Sequence, residues 1–103
     1  MYQPEYAAVL YILGAPTLWQ RAAPHVRESD FDWPALLHET RTMSGGEAVL
    51  VRTAHELWTS NKSVGLWELV RQLDARAFSR VVEALRISRG GELHARTQSP
   101  SGT

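Results

Sequence analysis

The chain of 103 residues contains no cysteine. That absence removes disulfides, thiolate zinc sites and thiol nucleophiles together. Lysine is almost missing: ten of the eleven basic residues are arginine and only Lys62 is lysine, a bias expected of a GC-rich bacterial or phage genome. Long hydrophobic runs are missing too. The longest, Tyr6 to Leu13, is far too short to span a bilayer, so no membrane role is expected. No basic residue precedes Arg21, so no secretory leader is expected and the protein reads as cytoplasmic. There is also no excess of charge of either sign, which argues against a committed nucleic-acid binder.

What is present describes one small globular domain. Hydrophobic residues make up 44% of the chain, enough for a packed core. The zero net charge conceals a polarity. Residues 1–61 carry four arginines against seven acids, and residues 62–103 carry seven bases against four acids. Such a dipole can orient a partner.

The periodicity predicts helices throughout and no strand. Pro4 to Leu13 is a first helix with Tyr6, Val9, Leu10 and Leu13 on one face, closed by Gly14. Pro16 opens a short second helix bearing Leu18, Trp19 and Ala22, and Pro24 interrupts it. His25 to Glu28 is one more turn or a loop, and Ser29 to Asp32 is a polar link anchored by Phe31. Asp32 caps a helix over Trp33 to Arg41 with Trp33, Leu36 and Leu37 buried. Ser44-Gly45-Gly46-Glu47 is a capping box, with Met43 and Ala48 placed for a hydrophobic staple. Its helix runs to about Trp58 and buries Leu50, Val51, Ala54, Leu57 and Trp58. After a turn over Thr59 to Ser63, Val64 docks, and Leu66 to Leu73 is a short helix whose Leu66, Leu69, Val70 and Leu73 fill one face. Asp74 caps a last helix from Ala75 to about Ser88, buried through Phe78, Val81, Val82 and Leu85 and ended by Gly90-Gly91.

The expected fold is therefore all-α, a compact bundle of five or six short helices with a flexible C-terminal tail. The single domain covers residues 1–91, with the helices of 4–41 wrapped on a helical core over 44–89. Residues 92–103 form the polar tail. Of the four tryptophans, Trp19, Trp33 and Trp58 are expected in the core, and Trp67 at the edge of its helix face.

Motifs for chemistry are incomplete. Met43-Ser44-Gly45-Gly46-Glu47 resembles the signature segment of ABC-type ATPases, which implies phosphate binding at a helix N-terminus. The resemblance covers five residues, and the G-x-x-x-x-G-K-[ST] loop such an enzyme needs is absent. His38-Glu39 and His55-Glu56 begin like H-E-x-x-H, but Thr42 and Thr59 stand where the second histidine is required. His25, His38 and His55 would make a metal site only by converging in space. Asp30 and Asp32 lack the glycine spacing of a calcium loop, and there is no G-x-S-x-G elbow. No catalytic residue, metal ligand or cofactor is assigned.

By elimination the chain reads as a non-enzymatic protein-binding domain: an adaptor, an inhibitor or a mobile-element accessory protein. The expected contact residues are Trp67, Arg71, Arg76, Arg80 and Arg86, because Trp and Arg dominate interface energies. The alternative is a DNA- or RNA-binding regulator in which the last two helices form a helix-turn-helix. Glu83 in the middle of that face and the absence of net positive charge weigh against it. In the bland reading of the same face, Arg80 and Glu83 simply pair across one turn. A homodimer burying Trp67 or Trp19 is a further possibility for so small a core.

Overall fold

The computed structural model describes residues 3–97, with side chains described through residue 90. Among these residues there are six α-helices: α1 (Pro4–Leu13), α2 (Trp19–Ala22), α3 (Trp33–Glu39), α4 (Gly45–Thr59), α5 (Leu66–Gln72) and α6 (Ala75–Thr97). The all-α expectation holds, with one addition. Val26–Arg27 (β1) and Asp30–Phe31 (β2) pair antiparallel as a two-residue hairpin. Its turn places Ser29 at φ 65, in the left-handed region. No periodicity announces strands this short. They form because tertiary contacts hold both ends. The Tyr6 hydroxyl donates to the Arg27 carbonyl at 2.6 Å, and Phe31 is buried with its ring 4.9 Å from that of Tyr6 and 5.1 Å from that of Trp58.

Helix starts follow local chemistry. Pro4 and Pro34 occupy first turns, where a missing N–H costs nothing. Asp32 accepts from the Ala35 N–H at 3.2 Å, and Asp74 accepts from the Ala77 N–H at 2.8 Å. The capping box forms reciprocally: Ser44 Oγ accepts from the Glu47 N–H at 3.2 Å and Glu47 Oε1 accepts from the Ser44 N–H at 3.3 Å. Gly90-Gly91 does not end α6, whose backbone continues to Thr97. Glycine costs about 1 kcal/mol in a helix but does not forbid it. Residues 98–103 of the expected tail lie outside the described residues.

The centre of the fold is α1. It packs against both α4 and α6, and these are the most extensive contacts between helices. α6 leans chiefly on α1, and α5 rests on α4. Because α1 is covered from two sides, its buried surface is wider than one stripe. Ala8, Val9, Ile12 and Leu13 are fully enclosed, while Tyr6 and Leu10 sit at the margins.

The buried face expected for α6 is corrected in part: Val81 is enclosed as expected and Val82 is half-buried, but Phe78 and Leu85 are not enclosed. Val81 and Ala84 are buried and Ala77 packs against the core. Phe78 and Leu85 are 40% and 45% exposed. Small side chains let α6 approach α1 closely, and this closeness turns the larger apolar residues aside. Trp33 is buried as expected, whereas Trp58 is half-buried and Trp19 is 39% exposed. Leu18, which precedes α2, and Ala22 within it take the inward side, which leaves Trp19 facing away from the core.

Ion pairs fasten the periphery. Arg21 reaches Glu39 Oε1 at 2.7 Å, and His25 lies 3.2 Å from Glu39 Oε2, so α3 is tied to α2 and the turn after it. Hydrogen bonding from Arg21, then from His25, holds the Glu39 carboxyl below its ordinary pKa.

Two outcomes are expected. Ala84→Leu should destabilise the fold by about 1–3 kcal/mol through overpacking against α1, while Leu85→Ser should cost well under ~1 kcal/mol. Urea unfolding of both variants checks which face is buried. Because Glu39 and Glu68 both have lowered pKa values in the fold, their stabilisation is complete above the ordinary carboxylate range and is lost as pH falls through the lowered values. The acid limb of a urea-midpoint profile should flatten when Glu39 and Glu68 are both changed to Gln.

Candidate functional site

The placement of α5 begins with charged groups on α4. Glu56 Oε1 accepts from the Ser63 and Val64 N–H groups at 2.9 and 3.0 Å. Arg52 donates to the Ser63 carbonyl at 3.2 Å and pairs with Glu68 at 3.1 Å. Glu68 in turn accepts from the Gly65 N–H at 3.2 Å, closing the first turn of α5 where glycine has no side chain to cap it. Hydrogen bonding from Arg52, then from the Gly65 backbone, lowers the Glu68 pKa. Val64, between these anchors, is buried.

With its start fixed this way, α5 packs Leu69 partly against the core, and the buried Leu73 follows its last residue in extended conformation. The stripe expected from sequence is only half used. Leu66 is 80% exposed, Val70 67% and Trp67 66%. The reason is rotational. Leu66, Trp67, Leu69 and Val70 spread over too wide an arc of a seven-residue helix for one neighbour to cover. The Glu68–Arg52 pair then decides which flank faces α4. Trp67 stands at the edge as expected, with the Arg71 guanidinium 4.1 Å over its ring.

Between α4, α5 and α6 lies a mainly apolar notch of about 180 Å³, lined by Leu57, Val64, Leu66, Leu69, Val81 and Leu85. Among the described residues of α6, Phe78 and Leu85 are exposed apolar side chains, seven apart on one helix face. Sequence reading missed this surface because it assigned Leu66, Val70, Phe78 and Leu85 to the core. The available signal was the surplus of apolar residues on α5.

Arg76, Arg80 and Arg86 of α6 line a second, wider concavity of about 800 Å³ together with Tyr11, Pro16 and Phe78. Trp67 and Arg71 are not among its lining residues, so the five residues singled out in the sequence divide between two surfaces. Arg80 turns inward as a strut. Its Nη1 donates to the Tyr11 carbonyl at 2.6 Å, and its guanidinium stacks 4.4 Å over the Tyr11 ring. Glu83 pairs with Arg86 at 3.4 Å, not with Arg80. Arg76 is exposed.

The other motifs resolve locally. Gly45 and Gly46 allow the end of α5 to approach α4. A Cβ at Gly45 would lie 2.7 Å from Gln72 Oε1, and one at Gly46 would lie 3.1 Å from the Gln72 carbonyl oxygen. Close packing of two helices accounts for the glycines of the segment that resembles the ATPase signature. His25 contacts Glu39, the His55 ring lies 4.9 Å from that of Trp33, and His38 is exposed. Among the described residues, no three His, Asp or Glu side chains gather where they could hold a metal ion. Asp32 caps α3 and pairs with Arg27 at 3.0 Å. No described helix is long and apolar enough to cross a membrane.

The strut and the exposed arginine should separate in a stability assay. Arg80→Ala is expected to cost about 1 kcal/mol, from one charged hydrogen bond and one cation–π contact near the surface. Arg76→Ala should stay within about 0.5 kcal/mol of the parent. Thermal or urea unfolding of the two variants checks this. No family model, curated protein or solved structure matches this chain.

Proposed function

We propose that this protein is a small binding domain that acts by holding another protein, and that the exposed flank of α5 is its contact surface. One observation carries the reading. Leu66, Trp67 and Val70 stand side by side, each at least 66% exposed, next to a notch lined mainly by apolar side chains. Scattered apolar residues are ordinary on a protein surface, but a contiguous group marks a site of interaction. Trp67 with Arg71 stacked on it adds the two residue types most often found at the energetic centre of interfaces.

The arginine face of α6 supports binding less well. Arg80 is engaged with Tyr11, and Arg86 is neutralised by Glu83. Those same engagements weaken the case for a nucleic-acid groove, which needs several arginines directed at phosphates.

The test is affinity capture from source-cell lysate, with half of the sample treated with nuclease. The parent protein should recover a protein partner equally from both halves. Leu66→Glu combined with Val70→Glu should reduce that recovery about tenfold or more, as expected for charges placed in a desolvated contact. Arg76→Glu with Arg86→Glu should leave it unchanged. Recovery that disappears with nuclease, or that survives the α5 substitutions, overturns the reading.

A further inference from the structure

On the premise that the flank of α5 is a protein-contact surface, its two sides complement each other. One side holds a hole. The notch between α4, α5 and α6 has a volume of about 180 Å³, with Leu66 and Leu69 in its α5 wall and Leu85 in its α6 wall. An apolar cavity of ~150 Å³ is enough for a benzene ring. The other side holds a knob. Trp67 is 66% exposed, and the Arg71 guanidinium is stacked 4.1 Å over its ring. Trp67 does not line the notch of its own chain. It stands about 100° round the helix from Leu66, while Leu69 lies about 60° from Leu66 in the opposite sense.

The polar groups match as well. Among the described residues that line the notch, Glu56 is the only charged one. Its Oε1 accepts from the Ser63 and Val64 N–H groups, and its Oε2 accepts no hydrogen bond from the described residues. Among the described residues, neither Glu56 nor Arg71 belongs to an ion pair. An indole carries one N–H donor and no acceptor. The knob therefore offers a donor and a cation, and the hole offers a carboxylate.

Knob and hole belong to one chain, so a second copy supplies the counterpart of each. Val70, 67% exposed, lies between Leu66 and Trp67 around the helix, about 40° from one and 60° from the other. A two-fold axis running along α5 past Val70 sets two α5 helices side by side and parallel. The Trp67 side of each copy then faces the notch side of the other, and the same patch is used twice. We infer that the chain forms a two-fold dimer in which Trp67 of each copy enters the notch of the other and Arg71 meets Glu56 across the contact. Trp67 offers at most ~250 Å² to such a contact, and Leu66 and Val70 offer less. Together they fall short of the ~800 Å² per partner of a standard interface. The dimer is therefore weak and reversible, and at low concentration the flank is free for a tighter partner.

Sedimentation equilibrium of the purified full chain, from about 1 μM to 1 mM, reads this association directly. The parent is expected to pass from monomer to dimer with a dissociation constant of about 100 μM, in keeping with a small contact. Trp67→Ala removes the knob, and Leu85→Glu puts a charge in the wall of the hole. Each should weaken the dimer about tenfold or more. Both side chains are exposed, so both variants should keep the parent circular dichroism spectrum. Trp67→Ala retains the hole and Leu85→Glu retains the knob, so their equimolar mixture should associate more tightly than either alone. Arg71→Glu sets like charges against each other and should weaken the parent dimer several-fold.

A monomer across the whole range would overturn the dimer and leave the lysate capture to decide the protein-binding reading by itself. A dimer indifferent to Trp67→Ala, or one lost in Trp67→Ala but unchanged in Leu85→Glu, would overturn the entry of Trp67 into the notch. A mixture no tighter than its components would overturn the reciprocal contact, and growth beyond the dimer would overturn its closure. Indifference to Arg71→Glu would overturn the pairing with Glu56. A dimer with the expected dependence, found together with lysate capture that survives the α5 substitutions, would sustain this inference and overturn the heterologous partner alone.

Discussion

The burial of α1 between α4 and α6 is the constraint on which the rest of the structure depends. Ala8, Val9, Ile12 and Leu13 are wholly enclosed there. Enclosing a large aliphatic side chain contributes about 1.5–3 kcal/mol relative to leaving it exposed. Two helices must cover this ten-residue segment, so both must approach it closely. On α6 the approach is made by Ala77, Val81 and Ala84. The rotation this requires leaves Phe78 and Leu85 at the margin. The central packing and the exposed apolar surface therefore have one cause.

Around this centre, polar contacts fix pieces too short to fold alone. A seven-residue helix such as α5 is unstable in isolation. Here Arg52 and Glu56 of α4 hold the chain that enters it, and Glu68 closes its first turn. Elsewhere Glu39 gathers Arg21 and His25. The aromatic group of Tyr6, Phe31, Trp33 and Trp58 seats the hairpin. These contacts are partly exposed, and their value lies in registering elements more than in adding large stability. The registration of α5 directs Leu66, Trp67 and Val70 outward.

Much of the fold was legible without coordinates. The boundaries of α1, the Asp32 and Asp74 caps and the Ser44–Glu47 capping box all follow from residues within a few positions of one another. The site was less legible. Helical periodicity finds an apolar stripe on α5 and on α6 but cannot say how much of it a neighbour will cover. The stripes of both helices are wider than their contacts. The arginines of α6 looked equivalent in sequence, yet Arg80 bonds a carbonyl on α1 and Arg86 meets Glu83. Only the fold brings Tyr11 to Arg80 across sixty-nine positions.

The sequence by itself determined that the domain is all-α and where most of its helices begin, because capping and turn chemistry act between near neighbours and need no tertiary partner; the second helix, expected from Pro16, instead starts at Trp19. It also determined that no thiol chemistry is available, since that depends on composition alone. Tertiary structure alone decided how much of the apolar faces of α5 and α6 is covered. That extent depends on how closely distant segments approach, and small residues such as Ala84 decide it more than large ones. The same packing separates Trp67 and Arg71 from the arginines of α6 and turns residues suited to a core into an exposed flank.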